Sequence, residues 1–106
     1  MPVTPCHTYD ELKTALTDAG GKLVVIDFHA VWCGPCKRIA PTIEKMSQDN
    51  SDVVFVKVDV DENSEAAEKY AIEAMPTFKF VKNGQIVATI TGADATSVEA
   101  AMNQHK

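Results

Sequence analysis

The stretch Leu23-Val24-Val25-Ile26-Asp27-Phe28-His29-Ala30-Val31-Trp32-Cys33-Gly34-Pro35-Cys36 decides how the chain is read. Its first six residues form an almost unbroken apolar run rich in branched side chains. Such a run predicts a central strand covered on both faces. The run gives way to a turn in which Pro35 sits where the first residue of a helix is expected. A buried strand therefore feeds a helix that begins at two closely spaced cysteines.

Working outward towards the N-terminus, Gly20-Gly21 stops a helix in which Leu12, Ala15, Leu16 and Ala19 recur at helical spacing. Thr8-Tyr9-Asp10-Glu11 has the S/T-x-x-E form of a capping box at its start, after a short extended opening near Val3–His7. In the other direction, Ile39, Ile43 and Met46 mark one stripe of the helix after the cysteines. Pro41 lies inside it, removes a backbone donor and predicts a kink. Val53–Val60 reads as a second strand, and Asn63 or a neighbour caps a short helix through Ala66, Ala67 and Tyr70. Thr77–Val81 and Gln85–Thr91 flank Asn83-Gly84, a strong hairpin signal. Asp94, or Thr96 with Glu99 three residues on, opens a last helix presenting Val98, Ala101 and Met102. Strands and helices alternate, then a hairpin and a helix close the chain. This predicts an α/β sandwich with a mixed central sheet and helices on both faces.

The 106 residues suit one domain, 1–106, with no repeat or linker to divide it. The formal charge is −5 and no basic run occurs, which argues against nucleic acid or an anionic membrane as the main partner. Met1-Pro2-Val3-Thr4-Pro5 has neither the basic head nor the apolar core of a signal peptide, and the apolar runs are too short to span a bilayer. The expected compartment is the reducing cytoplasm. Three cysteines fit it, since a disulfide-framed secreted domain usually carries a larger, even set.

Cys33 and Cys36 are the candidate chemistry. A helix N-terminus offers unpaired N–H groups and the positive end of the dipole, which favour thiolate over thiol. Residues three apart on a helix have Cβ atoms roughly 5–6 Å apart, and a disulfide needs roughly 3.5–4.5 Å, so a small adjustment interconverts the two redox states. Closing so short a loop restricts the unfolded chain by only roughly 2 kcal/mol. The pair is a poor staple and a good switch. Half of a zinc site is the alternative, but only Cys6, His7, His29 and His105 remain as further Cys or His ligands, with no second CxxC. Cys33, nearer the turn, is expected to be the more exposed thiol and Cys36 the shielded one. Cys6 reads as a buried small hydrophobe and His29 as a solvent-facing bystander.

Val25–Lys37, with its Trp32-Cys33-Gly34-Pro35-Cys36 core, resembles the active-site signature of the thioredoxin family. The resemblance continues through Ala40-Pro41, Lys57–Asp61, Ala74–Phe78, Asn83-Gly84 and Gly92-Ala93. It implies a mixed sheet of about five strands flanked by about four helices, and a Cys33–Cys36 disulfide that forms and breaks in reducing protein disulfides. Cys33 would be the nucleophile, Cys36 the resolving thiol and Asp27 its proton acceptor, with Lys57 nearby. Trp32, Gly34, Pro35, Met75, a cis Pro76, Thr91, Gly92 and Ala93 would form the substrate groove. No metal or cofactor is implied. The implied partners are thioredoxin reductase and disulfide-bearing proteins such as peroxiredoxins or ribonucleotide reductase. The implied setting is a monomer in electron transport and cell redox homeostasis. A role as a binding module without turnover is the competing class, against which the intact WCGPC speaks.

Two of these residues also have readings of their own. Asp27 interrupts strong apolar residues on either side, which favours a buried carboxylate over one turned outward at a strand end. Lys57 interrupts the second strand and reads equally as a neighbour of Asp27 or as a solvent-facing lysine.

Overall fold

The structure is a computed structural model that describes residues 2–106. Met1, the first residue of the Met1–Pro5 stretch read above for a signal peptide, lies outside the described residues. In chain order the elements are β1 (Thr4–Pro5), α1 (Tyr9–Asp18), β2 (Val24–His29), α2 (Gly34–Asp49), β3 (Val54–Asp59), α3 (Ser64–Lys69), β4 (Thr77–Lys82), β5 (Gln85–Thr91) and α4 (Ala95–His105). The strands make one sheet in the order β1-β3-β2-β4-β5. β3 runs parallel to both β1 and β2, whereas β4 is antiparallel to both β2 and β5.

Local chemistry accounts for most boundaries. Thr8 caps α1 by accepting from the Glu11 N–H at 3.1 Å. The reciprocal half of the capping box is displaced: the Glu11 carboxylate accepts from the His7 N–H at 2.8 Å, one residue before the cap. Asn63 and Asp94 cap α3 and α4 by accepting from the Ala66 and Ser97 N–H groups. Thr96 lies inside α4 and does not open it. α2 is continuous through Pro41. In the hairpin, Asn83 and Gly84 take φ values of 54° and 78°, the left-handed pair that a two-residue turn between twisted strands demands. The extended opening is shorter than expected: only Thr4 and Pro5 pair with β3.

Alternation along β2 and β3 divides the interior in two. Val24, Ile26 and Phe28 pack with Val56 and Val58 against Leu12 of α1 and Ala66 of α3, and Cys6 is buried among them. Val25 and Phe55 point the other way, to Ile39, Ile43 and Met46 of α2 and to Val98 and Met102 of α4. Asp27 and His29 share the parity of Val25, and Lys57 and Asp59 that of Phe55, with Asp27 in register with Lys57 and His29 with Asp59. The sheet's α2 side therefore turns from apolar to charged towards the carboxyl ends of β2 and β3. That end is where α2 begins.

Candidate active site

Cys33 is the N-cap of α2, extended at φ −86° and ψ 110°, with Pro35 in the first turn. Its Sγ accepts from the Cys36 N–H at 3.2 Å, and its carbonyl accepts from the Lys37 N–H at 3.2 Å. The sulfur thus occupies the place of a capping oxygen and faces unpaired N–H groups at the positive end of the helix. Cys33 and Cys36 are joined as a disulfide with Cα atoms 5.3 Å apart, inside the range such a bond accepts.

Exposure does not separate the two cysteines. Cys33 is 5% and Cys36 6% exposed, contrary to the expectation that Cys33 would be the more open, because Ala30, Val60 and Met75 pack around the pair. Their surroundings do separate them. The Cys33 Sγ lies 3.8 Å from the Met75 carbonyl oxygen, on the side of the β4 approach. Cys36 instead lines a cavity of about 220 Å³ with Asp27, His29, Lys57, Lys37 and Ala40.

Asp27 is buried at 8% exposure, and its Oδ1 finds no hydrogen-bond partner among the described residues. Burial pushes its carboxyl up to about 7 against the pull of the nearby Lys57 ammonium, from an ordinary value of 3.8. Such a group exchanges protons near neutrality, as a general base must. Lys57 is half-buried beside Asp27, which decides between its two sequence readings in favour of the neighbour. His29 corrects the sequence reading: it is half-buried on the same cavity. Burial and the Lys57 charge hold its imidazole below the usual range, and Asp59 and Glu62 only partly offset this.

Around the disulfide, Trp32 is 65% exposed, so it belongs to the surface rather than the core. Its indole N–H donates to Asp61 Oδ2 at 2.8 Å, which steadies the ring beside Cys33. The Met75–Pro76 peptide is cis. The Pro76 carbonyl accepts from the Gly92 N–H at 2.9 Å, and Gly92 holds φ at +105°, a conformation that side chains other than glycine's rarely adopt. Thr91 is exposed and in register with Thr77, and Ala93 is exposed just beyond Gly92. Pro35 is exposed and Gly34 half-buried. A Cβ on Gly34 would meet only the far end of the Arg38 side chain, at 3.3 Å. Met75 packs against the sulfur pair, and Asp27, His29 and Lys57 share a cavity with Cys36, whereas Gly92 is joined to Pro76 and Thr91 is in register with Thr77. Asp61, bonded to Trp32, and His29, on the Cys36 cavity, are two neighbours that sequence reasoning did not place there. Asp61 is 29 positions from Trp32 with no local signal. The parity His29 shares with Asp27 could have marked it.

Among the described residues no group of three or more His, Cys, Asp or Glu side chains is arranged to hold a metal ion. No helix among them is long and apolar enough to cross a membrane.

Comparison with known proteins adds the family. The pattern described as Thioredoxin matches residues 3–104. A thioredoxin of Malassezia sympodialis is 51% identical over 100 residues, covering 92% of this chain and 93% of its own. The X-ray structure of Fasciola hepatica thioredoxin superposes with a TM-score of 0.97 at 42% identity, covering 98% of this chain and all of that one. A chain from work on the thiol resolving mechanism in yeast mitochondrial 1-Cys peroxiredoxin via glutathione/thioredoxin systems gives 0.88 at 37% identity, covering 96% and 94%. With the likeness running almost end to end and the cysteine pair disulfide-bonded at its centre, the chain belongs to the thioredoxin family of thiol-disulfide oxidoreductases.

Proposed function

We propose that the chain, acting as one domain over 1–106, reduces disulfides of partner proteins with Cys33 as nucleophile and Cys36 as resolving thiol. The carrying observation is the asymmetry of the pair: Cys33 caps the helix beside Met75, and Cys36 shares a cavity with Asp27 and its unpartnered carboxylate oxygen. The Cys33 thiolate attacks one sulfur of the partner's disulfide, and the other sulfur leaves as a thiolate that takes a proton from water. Cys36 gives its proton to Asp27 and attacks the Cys33 sulfur. The Cys33–Cys36 bond forms, the mixed disulfide breaks, and the partner leaves with its second thiolate.

Trp32, Gly34, Pro35, Met75, Pro76, Thr91, Gly92 and Ala93 form the docking surface, an extended partner segment lying along the backbone at Met75 and Pro76. Two electrons from thioredoxin reductase and two protons from solvent reopen the disulfide to the Cys33 and Cys36 thiols, and the chain acts as a monomeric electron carrier in the cytoplasm. Peroxiredoxins are the favoured substrate class, supported by the similarity to the chain from the 1-Cys peroxiredoxin work; ribonucleotide reductase is a further one. The test is insulin reduction driven by a thioredoxin reductase. Turnover by the natural chain and none by the Cys33→Ser, Cys36→Ser double variant is the expected result; an inactive natural chain with an active reductase control overturns the reading.

A further inference from the structure

We propose that His29 is a positioning residue for the resolving step, relaying the proton of Asp27 between the Cys36 cavity and solvent. The inference rests on the role of Asp27 given above and goes beyond it. Asp27 is enclosed: a buried base that takes a proton from Cys36 must release it before it can act again. The cavity that reaches it is lined by Cys36 and Asp27 at its inner part and by half-buried His29 and Lys57 and exposed Lys37 and Ala40 further out. His29 follows Asp27 by two residues on the same face of β2, so their Cα atoms are about 7 Å apart, close enough to communicate through one or two waters. The volume of about 220 Å³ has room for such waters.

Beside Asp27 itself, the cavity is lined by one imidazole, a group that ordinarily both accepts and donates a proton near neutrality. The groups facing His29 are Asp27 on its own strand, Lys57 and Asp59 on β3, Glu62 beyond β3 and Lys37 on α2. Asp59 is engaged elsewhere, its Oδ1 accepting from the Asp61 and Glu62 N–H groups. Burial, with the Lys57 charge, favours the neutral ring, which keeps a lone pair to accept a proton. In the relay the Asp27 carboxyl gives its proton to an imidazole nitrogen, returning to carboxylate. The imidazolium then gives a proton to a buffer base or water at the mouth, returning to neutral. No electrons move.

The test compares the natural chain with His29→Asn, Asp27→Asn and the double variant. The rate at which Cys36 resolves a preformed mixed disulfide on Cys33 is followed from pH 5.5 to 8.5 in dilute buffer, with and without added imidazole. His29→Asn is expected to slow resolution about tenfold near pH 6–7, with imidazole restoring the rate, and to have no further effect in the Asp27→Asn background. A natural rate in His29→Asn overturns the relay and leaves Asp27 untouched. Slowing without rescue by imidazole also overturns it, since a merely structural loss has that signature. An unslowed Asp27→Asn removes the role of Asp27 itself, and the relay through it falls with it. A further loss from His29→Asn in the Asp27→Asn background shows that His29 acts on another group and overturns the relay as stated. Unchanged denaturation midpoints for His29→Asn establish that its rate is read on folded protein.

Discussion

The two faces of β2 each bury a cysteine sulfur, and they treat it differently. On the α1 and α3 face, Cys6 lies among Val24, Ile26, Phe28 and Leu12. Burial, and then the charge of Glu11, pushes its thiol up, away from the thiolate that reacts. On the α2 face Cys36 is scarcely more exposed, 6% against 3%, yet it sits in the first turn of α2, with Asp27 across a cavity. Burial alone therefore says nothing about a cysteine's reactivity. In the function proposed above, a neighbouring base, a helix N-terminus and a path for the proton make the difference, and one strand of alternating parity supplies both environments.

The largest effect that could break this contrast concerns covalent capture. Cys36→Ser should hold a partner as a mixed disulfide on Cys33, since a hydroxyl cannot replace a thiolate in exchange. Cys33→Ser should capture almost none. After alkylation quenching, a non-reducing gel reads the adducts directly; equal adducts from both variants would reverse or erase the asymmetry.

Next come the two neighbours Phe28 and Asp27, one from each face. Phe28 is fully buried against the Tyr70 ring, centroids 5.3 Å apart, so Phe28→Ala should cost about 3–5 kcal/mol of stability. The exchange rate of the molecules still folded should not change. Urea titration with activity normalised to folded fraction checks both; a changed pH profile would mean that the two faces are not independent.

Asp27→Asn should do the opposite, slowing resolution while adding stability that depends on pH. Below about pH 4 the carboxyl is protonated in both folded and unfolded chains, so the variant gains little. Between about 4 and 7 the unfolded chain ionises and the folded chain holds its proton, so the natural protein loses stability as pH rises. Above pH 8 the gain from Asp27→Asn should level off at about 4 kcal/mol, the free-energy equivalent of raising the carboxyl from 3.8 to about 7. Urea midpoints from pH 4 to 8.5 measure it, and a flat difference would mean that Asp27 is solvated.

Cys6→Ser is the smallest change. It should lower stability by about 1–2 kcal/mol through burial of a hydroxyl and leave turnover unaltered. A several-fold fall in turnover at equal folded fraction would give Cys6 a part in the chemistry.

How legible these features were in the sequence follows the range of the forces behind them. Thr8, Asn63 and Asp94 cap their helices through bonds to the third residue on, so each signal lies within one short window. The Asn83-Gly84 turn is equally local. Asp27 was legible because a carboxylate between Ile26 and Phe28 has nowhere to go but inwards. The reach of Glu11 to His7 rather than to the cap itself depends on the path of the chain into α1, which the pattern does not encode. The low exposure of Cys33 was hidden because Val60 and Met75, distant in sequence, cover it. His29 was misread for the same reason: the wall that half-buries it includes Lys37 and Ala40 of α2 and Lys57 of β3. Trp32 and Asp61 are joined across 29 positions by a bond that exists only once β2 and β3 lie side by side.

The strand order β1-β3-β2-β4-β5 has a consequence for the protein while it is being made. Synthesis proceeds from the N-terminus, so Cys33 and Cys36 leave the ribosome long before Met75, Pro76 and Gly92. Until β4 is added against β2, the disulfide has no Met75 carbonyl beside it, and until β5 follows, Gly92 cannot bond Pro76. A nascent chain that stops short of β4 carries the cysteine pair without the surface proposed above to dock its partners. On that proposal, translation withholds docking from the redox pair until the hairpin, nearly the last part to emerge, has joined the sheet.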